Sequence, residues 1–467
     1  MAKYTLFGLL NLLFFLTGIT AQVNYTITPL NINTREYDEE AAVYYKGGIV
    51  FISNRTQSAL SIRVDESWKP LNDIYFARQK ENKKYTTPDI FSKNLKSRDQ
   101  ESTICFNKEG NVAYFTKVVD NEHTAIFSAE LSGGEWVNIT PMRFNLTNYN
   151  FSDPCLSPDG KRLFFSSNRP GTLGGSDIFV CTQTRSGWST PKDLGPTVNS
   201  DSSEFYPFLN QNGKLYFASN RKGGIGGVDI YWSMEINGQW TPAKLMEAPF
   251  NTKYDDYGYT SDSVDRQGFI TSNRSKSYDL FSFISPVPVF DAKPQKINKY
   301  GYKFTEESAM NTDTTTYLYE WDFGDGTKHR GRDLVIRHTF PSVGDYLVQL
   351  NVIDTLTGEV MMNQSSNIVE VRDEEQPYIT MPDTVNIREN FHLDGLKSYL
   401  PGKKIISYYW DMGDGTIKTG KETEHQYYYP GTYKIILGIV CQDESSGNQD
   451  VFASYKEILV QDKNHSQ

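Results

Sequence analysis

From residue 22 onward, short runs of β-branched and aromatic residues alternate with breaks rich in Gly, Pro and Asp, and no stretch holds a sustained helical period. One unit reads clearly. It begins at Pro154-Cys155-Leu156, turns at Ser157-Pro158-Asp159-Gly160 and continues as Arg162-Leu163-Phe164-Phe165-Ser166. A loop with Gly171, Gly174 and Gly175 leads to Asp177-Ile178-Phe179-Val180, and a last segment starts at Trp188-Ser189-Thr190-Pro191. Apolar runs bounded by such breaks are strands joined by tight turns, so the unit predicts four strands.

The unit repeats. Ser53-Asn54-Arg55, Ser167-Asn168-Arg169, Ser219-Asn220-Arg221 and Ser272-Asn273-Arg274 stand at the same place in four copies. The last three are spaced by about 50 residues and the first gap is about twice that, which places a worn copy near Tyr114-Phe115-Thr116-Lys117. Asp177, Asp229 and Asp279 open the third strand of their copies, as Asp73 does in the first. Pro29, Pro88, Pro141, Pro191 and Pro242 mark outer, edge-tolerant strands. The array opens on an outer-type strand, Tyr25-Thr26-Ile27-Thr28-Pro29, and its last copy stops after a third strand near Ser282. The expectation is an all-β protein whose first half is a propeller of five blades, closed by its N-terminal strand, with six blades as the alternative. Residues 22–285, and most closely the stretch from Leu156-Ser157-Pro158-Asp159-Gly160-Lys161 to Asp177-Ile178-Phe179, resemble the WD-repeat-like propellers of the TolB family.

The second half changes character. Trp321-Asp322-Phe323-Gly324-Asp325-Gly326-Thr327 returns as Trp410-Asp411-Met412-Gly413-Asp414-Gly415-Thr416. His338-Thr339-Phe340 and Gly344-Asp345-Tyr346 return as His425-Gln426-Tyr427 and Gly431-Thr432-Tyr433. Two strand-rich units of about 90 residues predict two small Ig-like β-sandwiches, with each Trp between the sheets and the glycines at positive φ. The block resembles that of PKD domains, which implies spacer or binding modules over 288–372 and 373–462. Pro-containing junctions at 285–288 and 372–377 predict stiff connections.

Lys3, the apolar stretch 6–16 and Ile19-Thr20-Ala21 predict an exported chain with a signal peptide over 1–21, cleaved after Ala21, and a short tail at 463–467. No later stretch has the length of a membrane span. Loss of Lys3 leaves 46 basic and 57 acidic residues, a net charge of −11, which disfavours nucleic acid and anionic lipid as partners. Four cysteines are too few for a disulfide framework. Cys105 and Cys155 occupy equivalent positions in adjacent units, which leaves open either a bridge or two buried thiols.

Candidate chemistry is sparse. The loops at 171–175 and 223–227 lack the Gly-Lys-Ser/Thr ending of a phosphate loop and run into a strand, so they read as turns. The periodic Asp177, Asp229 and Asp279 read as turn hydrogen bonding rather than catalysis. The six histidines show no metal-ligand spacing, although the Asp-rich sandwich turns leave calcium open. No Gly-x-Ser-x-Gly elbow is present. No cofactor is expected.

Three function classes follow. The favoured one is a non-catalytic scaffold that binds protein partners in the bacterial envelope, among them outer-membrane components. The combination of domains resembles envelope proteins of the Bacteroidetes type, some tied to type IX secretion and gliding. Asp262-Ser263-Val264, Asp313-Thr314-Thr315, Asp354-Thr355-Leu356 and Asp383-Thr384-Val385 match the O-glycosylation pattern of that group. The absence of a peptidoglycan-binding tail or a sorting domain after Val460 favours the periplasm over the cell surface. The second class is an adhesin or glycan binder that stacks sugars on Tyr427-Tyr428-Tyr429, for which a strand edge is the plainer reading. The third is a five-bladed glycosidase, which requires two or three carboxylates converging in the axial funnel.

Overall fold

The computed structural model describes residues 25–56, 64, 70–96, 100–120, 122–263, 265–306 and 316–462. The predicted signal segment with Ala21, the tail, Asp313-Thr314-Thr315 and Val264 lie outside them. No helix occurs among the described residues, so none is long and apolar enough to cross a membrane.

Five antiparallel sheets build the first half among the described residues. The third runs Phe151–Leu156, Arg162–Ser167, Asp177–Thr184, with Gly187–Trp188 and Lys192–Asp193 both on the outer side of the last. In the fifth, Asp256–Ser261, Gln267–Ser272 and Asp279–Ile284 are completed by the N-terminal strand Thr26–Pro29, with Thr26 opposite Ile284 and Pro29 opposite Phe281. The innermost strands pack in sequence, from Glu39–Tyr45 past Glu101–Phe106, Phe151–Leu156 and Glu204–Leu209 to Asp256–Ser261, which returns to Glu39–Tyr45. The ring is therefore closed.

The two-residue period of a strand explains the packing. Neighbouring side chains point to opposite faces of a blade and so into different blade–blade seams. Leu163 and Phe165 join Ile126 of the preceding blade, while Phe164 between them joins Leu209 and Phe217 of the next. Each of the five seams holds such a buried apolar cluster.

Two sandwiches follow. In the first, the sheet Lys328–Gly331, Tyr317–Asp322, Gly344–Asp354, Val360–Val371 packs on the pair Gly301–Thr305 and Val335–Thr339, around Trp321, Phe323 and Phe340. In the second, the sheet of Ile417–Thr419, Lys403–Asp411, Gly431–Asp443 and Gln449–Gln461 packs on Phe391–Asp394 and Glu422–His425, around Trp410, Met412 and Tyr427.

Order in space differs from order in sequence. On leaving the propeller, the chain first crosses the second sandwich. Phe290 lies against Gly438, where an added Cβ would come within 2.4 Å of its ring, and Lys293–Pro294 pairs in parallel with Ser454 and Tyr455. The stretch expected to begin the first sandwich at 288 thus belongs in space to the second. The propeller also touches the second sandwich directly. Lys214 Nζ donates to Gly415 O at 3.1 Å, Asn237 Nδ2 to Pro430 O at 2.9 Å and Tyr429 Oη to Trp240 O at 3.2 Å. The first sandwich is held to the second through Asn298 Nδ2 and Tyr300 Oη on Asp373 Oδ1, at 2.7 and 2.6 Å.

Candidate functional site

The Ser-Asn-Arg blocks lie at the end of the second strand of their blades. Each asparagine accepts the N–H of the residue just ahead of the innermost strand: Asn54 from Asp38, Asn168 from Asn150, Asn220 from Ser203 and Asn273 from Asp255, at 2.6–2.9 Å. Ser53, Ser219 and Ser272 each accept both the backbone N–H and Nε of their arginine. The arginine then pairs with a fully buried acid that opens the innermost strand: Arg55 with Glu39 at 2.7 Å, Arg221 with Glu204 at 3.0 Å, Arg274 with Asp256 at 2.5 Å. Thr34, Ser200 and Thr252 each give their acid an N–H and a hydroxyl. Buried charges require this density of partners. Even so, burial pushes Glu39 up to about 7, against the pull of Thr34 and Arg55. In the third blade Phe151 replaces the acid; Arg169 lies 5.5 Å over the Phe179 ring, and its buried Nε and Nη1 have no hydrogen-bond partner among the described residues.

The periodic aspartates serve the glycine-rich loops. Asp177 Oδ2 accepts Leu173 N at 2.7 Å, and Asp229 Oδ2 accepts Ile225 N and Gly226 N at 2.7 and 3.0 Å. Asp279 Oδ1 accepts the Ser277 hydroxyl at 3.3 Å, and Asp73 pairs with Lys96 at 2.7 Å. Burial, with Asp193 and Glu204 nearby, raises Asp177 to about 6. The loops press on the next blade: a Cβ on Gly174 would stand 2.0 Å from Ser202 O, and one on Gly226 1.9 Å from Tyr254 O. They hold Leu173 and Ile225 outward, 51% and 50% exposed, on one loop face with Tyr254.

At the axis every innermost strand carries a bulge. Ala41, Asp153 and Tyr206 take φ of 51°, 55° and 50° there, and Gly258 takes 63°. The bulges bring Glu40, Asp153, Tyr206 and Tyr257 together. Tyr257 Oη donates to Glu40 Oε2 at 2.6 Å, and Tyr206 stacks on Tyr257 at 4.8 Å. Asp153 accepts from Thr103 and Ser152 at 3.1 and 3.0 Å. Burial raises both carboxyls. A pocket of about 40 Å³, on the scale of a water molecule, lies beside Asp153 and Tyr206 at the axis.

A larger cavity of about 540 Å³ lies between the propeller, the 285–290 connection and the second sandwich. Lys214 and Asp265 face it from the propeller, and Asp411 from the sandwich. Burial lowers Lys214 to about 8, although Asp265, Asp411 and Asp414 pull it up. Asp265 accepts Tyr216 Oη and Tyr259 Oη at 2.7 and 2.8 Å.

The repeated sandwich blocks form matching turns. Asp322 and Asp411 accept Gly324 N and Gly413 N, while Asp325 and Asp414 accept Thr327 N and Thr416 N. Gly324, Gly326, Gly413 and Gly415 have φ of 72°, 90°, 73° and 83°. The other oxygens of Asp325 and Asp414 meet His338 and His425 at 2.7 and 3.0 Å. Among the described residues no group of three His, Cys, Asp or Glu is placed to hold a metal. Tyr427 is wholly buried and Tyr429 is bonded to the propeller, which leaves Tyr428 as the exposed ring of the triplet.

The Cys105–Cys155 bridge does not form; all four cysteines are free thiols. Equivalent positions in a ring face the same way round, so each thiol looks into a different seam. Cys105 packs towards the third blade, while Cys155 faces the fourth and accepts Leu209 N at 3.4 Å.

Glu39, Glu204, Asp256, Glu40 and Lys214 escape sequence reasoning. A hydroxyl residue four or five places ahead of the acid was the available signal for the first three.

A PKD domain model matches residues 285–368 and 374–454. Collagenase ColA of Bacillus cereus is 44% identical over 55 residues, which are 12% of this chain and 6% of that protein, so the chain spans a small fraction of that relative. Among solved structures, a putative TolB from Agrobacterium tumefaciens is 13% identical, with a TM-score of 0.33 over 75% of this chain and 90% of that one. An exo-β-1,3-galactanase from Clostridium thermocellum is 11% identical, with a TM-score of 0.36 over 93% of this chain and 100% of that one. At such TM-scores these likenesses carry no argument about activity.

Proposed function

We propose that the chain is a non-catalytic scaffold of the bacterial cell envelope, exported and acting in the periplasm or at the outer membrane, as an accessory to an outer-membrane or type IX secretion and gliding assembly. The observation that carries this reading is the use of the repeated polar groups. The Arg–acid pairs and the asparagines are satisfied within the ring, and one oxygen each of Asp177 and Asp229 holds its own loop, while their buried Oδ1 atoms have no hydrogen-bond partner among the described residues. These bonds stiffen a loop face that holds Leu173, Ile225 and Tyr254 towards solvent. Binding residues sit disproportionately on loops positioned by a rigid scaffold. At the axis Glu40 is held by Tyr257 and Asp153 by Thr103 and Ser152, and the pocket beside Asp153 measures about 40 Å³, which weighs against the glycosidase reading. The burial of Tyr427 weighs against a tyrosine platform for glycans.

The test is a native pull-down of tagged protein from gently solubilised envelope, read by mass spectrometry. Stoichiometric recovery of outer-membrane or secretion-apparatus subunits, lost in a Leu173→Asp, Ile225→Asp double variant, is the expected result. Recovery of the protein alone, with selective binding on a glycan array, would overturn it.

A further inference from the structure

The two sandwiches end in equivalent strands with unequal neighbours. Val460 stands opposite Gly431 as Val371 stands opposite Gly344, so Gln449–Gln461 and Val360–Val371 correspond. In the second sandwich the outer edge of that strand is covered twice, in parallel: Lys293–Pro294 lies against Ser454 and Tyr455, and Thr384–Asn386 against Leu459, Val460 and Gln461. In the first sandwich nothing among the described residues pairs with the corresponding edge. The cause lies in the chain path. Tyr302 opposes His338 as Phe391 opposes His425, so residues 295–297 are the counterparts of Thr384–Asn386. Those residues are held elsewhere: Gln295 N donates to Tyr455 O at 2.9 Å, and its Oε1 accepts Ile379 N at 2.6 Å. The first sandwich has lent its covering strand to the second.

The vacated edge is shaped as a strand seat. The half of Val360–Val371 from Ser365 on pairs regularly with its inner neighbour, and the irregularity falls before it. Ile368 projects from it, 62% exposed. Neither lysine nor proline, the usual guards of an exposed edge, occurs in the strand. One outward carbonyl is capped by a side chain: Tyr302 Oη donates to Glu370 O at 3.2 Å, where the second sandwich has Phe391 and a true strand. Glu370 and Asp345 share a single Arg372, which leaves the site net negative.

We propose that the outer edge of residues 365–372 is a docking seat for an extended segment of a partner protein, added as a parallel strand, uncharged beside Ile368 and basic near Glu370. The chain's own use of such segments on the equivalent edge argues for this occupant. The proposal rests on the scaffold reading and names the chemistry of a partner.

The probe is a fluorescent synthetic peptide of residues 380–390, whose Thr384–Asn386 fills the sister seat, carrying Asp383→Lys, which in the sister register sets a basic side chain beside Glu370, and Glu389→Gln. It is titrated into the full chain and followed by hydrogen exchange. Saturable binding that slows exchange at Ile368 and Glu370 is expected. Glu370→Pro removes the outward N–H that meets the carbonyl of residue 383 in the sister register, at an edge that tolerates proline, and should weaken binding by more than about tenfold. Ile368→Lys, at an exposed position, should weaken it without unfolding. Absence of binding, binding unchanged in both variants, protection confined to the second sandwich, or occlusion of the edge by a second copy in light scattering would each overturn the seat. Failure here with partners still recovered in the pull-down removes the seat alone. Loss of all partners with the peptide still bound removes the scaffold reading.

Discussion

Both sandwiches carry the Trp-Asp-x-Gly-Asp-Gly-Thr block, and they set it in different surroundings. In the first, Asp322 faces Lys328 at 2.8 Å near solvent, and Trp321 Nε1 makes a long bond of 3.3 Å to Asp333 O. In the second, the block is pressed against the propeller, Asp411 lines the interdomain cavity, and Trp410 is wholly buried with a 2.8 Å bond to Gly420 O. A shared motif transmits turn geometry. Its energetics and its docking come from what packs on it.

The largest effect should follow from the tryptophans. Trp410→Ala removes a fully buried ring and should cost about 3–5 kcal/mol. The propeller-facing residues Gly415, Tyr429 and Pro430 belong to that sandwich, so the propeller transition should fall with it in calorimetry. Trp321→Ala should melt the first sandwich and leave the propeller transition in place. Equal effects on the propeller would break the comparison. Next in size is the Asp414–His425 pair. Burial works to raise the Asp414 carboxyl, and His425 overcomes it, holding the group at about 2. A carboxyl depressed on folding adds stability above its ordinary range near pH 4, and that stability is lost as pH falls towards 2. Asp414→Asn should therefore cost about 2 kcal/mol at pH 7 and almost nothing at pH 2, read from urea midpoints across that range.

Much of this was legible in the chain. The Pro-Asp-Gly turns, the Ser-Asn-Arg period and the outer-type strand at Thr26–Pro29 describe the ring because each is a local signal repeated at fixed spacing. The sandwich glycines were legible for the same reason, since positive φ is a local demand. The acid partners were harder. Glu39, Glu204 and Asp256 lie 16–18 residues from their arginines, across a hairpin. The third blade shows that the arginine recurs without an acid, as Arg169 in the blade whose innermost strand opens on Phe151. Spatial order was not legible at all. It rests on contacts such as Lys214 with Gly415 and Phe290 with Gly438, between residues with no shared pattern.

Glycine substitutions sharpen the comparison at a smaller scale. Gly326 and Gly415 share a positive φ, so alanine at either should cost about 1–2 kcal/mol in backbone strain. A Cβ on Gly326 meets open space, while one on Gly415 would stand 3.1 Å from the Trp232 ring of the propeller. Gly415→Ala should therefore also loosen the propeller junction, read as faster limited proteolysis near 285–290. Similar proteolysis of both variants would mean that the junction does not depend on this contact.

The smallest effect separates the sandwiches by sign. Asp322 is held below the usual carboxylate range, chiefly by the Lys328 hydrogen bond, whereas burial raises Asp411, with Asp414 adding to it. Above pH 4 the ionised Asp322 favours the folded state, while ionisation of Asp411 opposes it. Asp322→Asn should cost no more than about 1 kcal/mol at pH 7, because that pair is half-exposed and screened. Asp411→Asn keeps an oxygen for Gly413 N and removes a buried charge, so it should leave stability unchanged or raise it, most visibly at neutral pH. Urea denaturation of the two variants at pH 7 and pH 4 reads the difference, which should shrink at the lower pH as Asp411 takes up its proton. A loss in Asp411→Asn as large as in Asp322→Asn would mean that Lys214 and Lys434, rather than burial, set the state of that carboxyl.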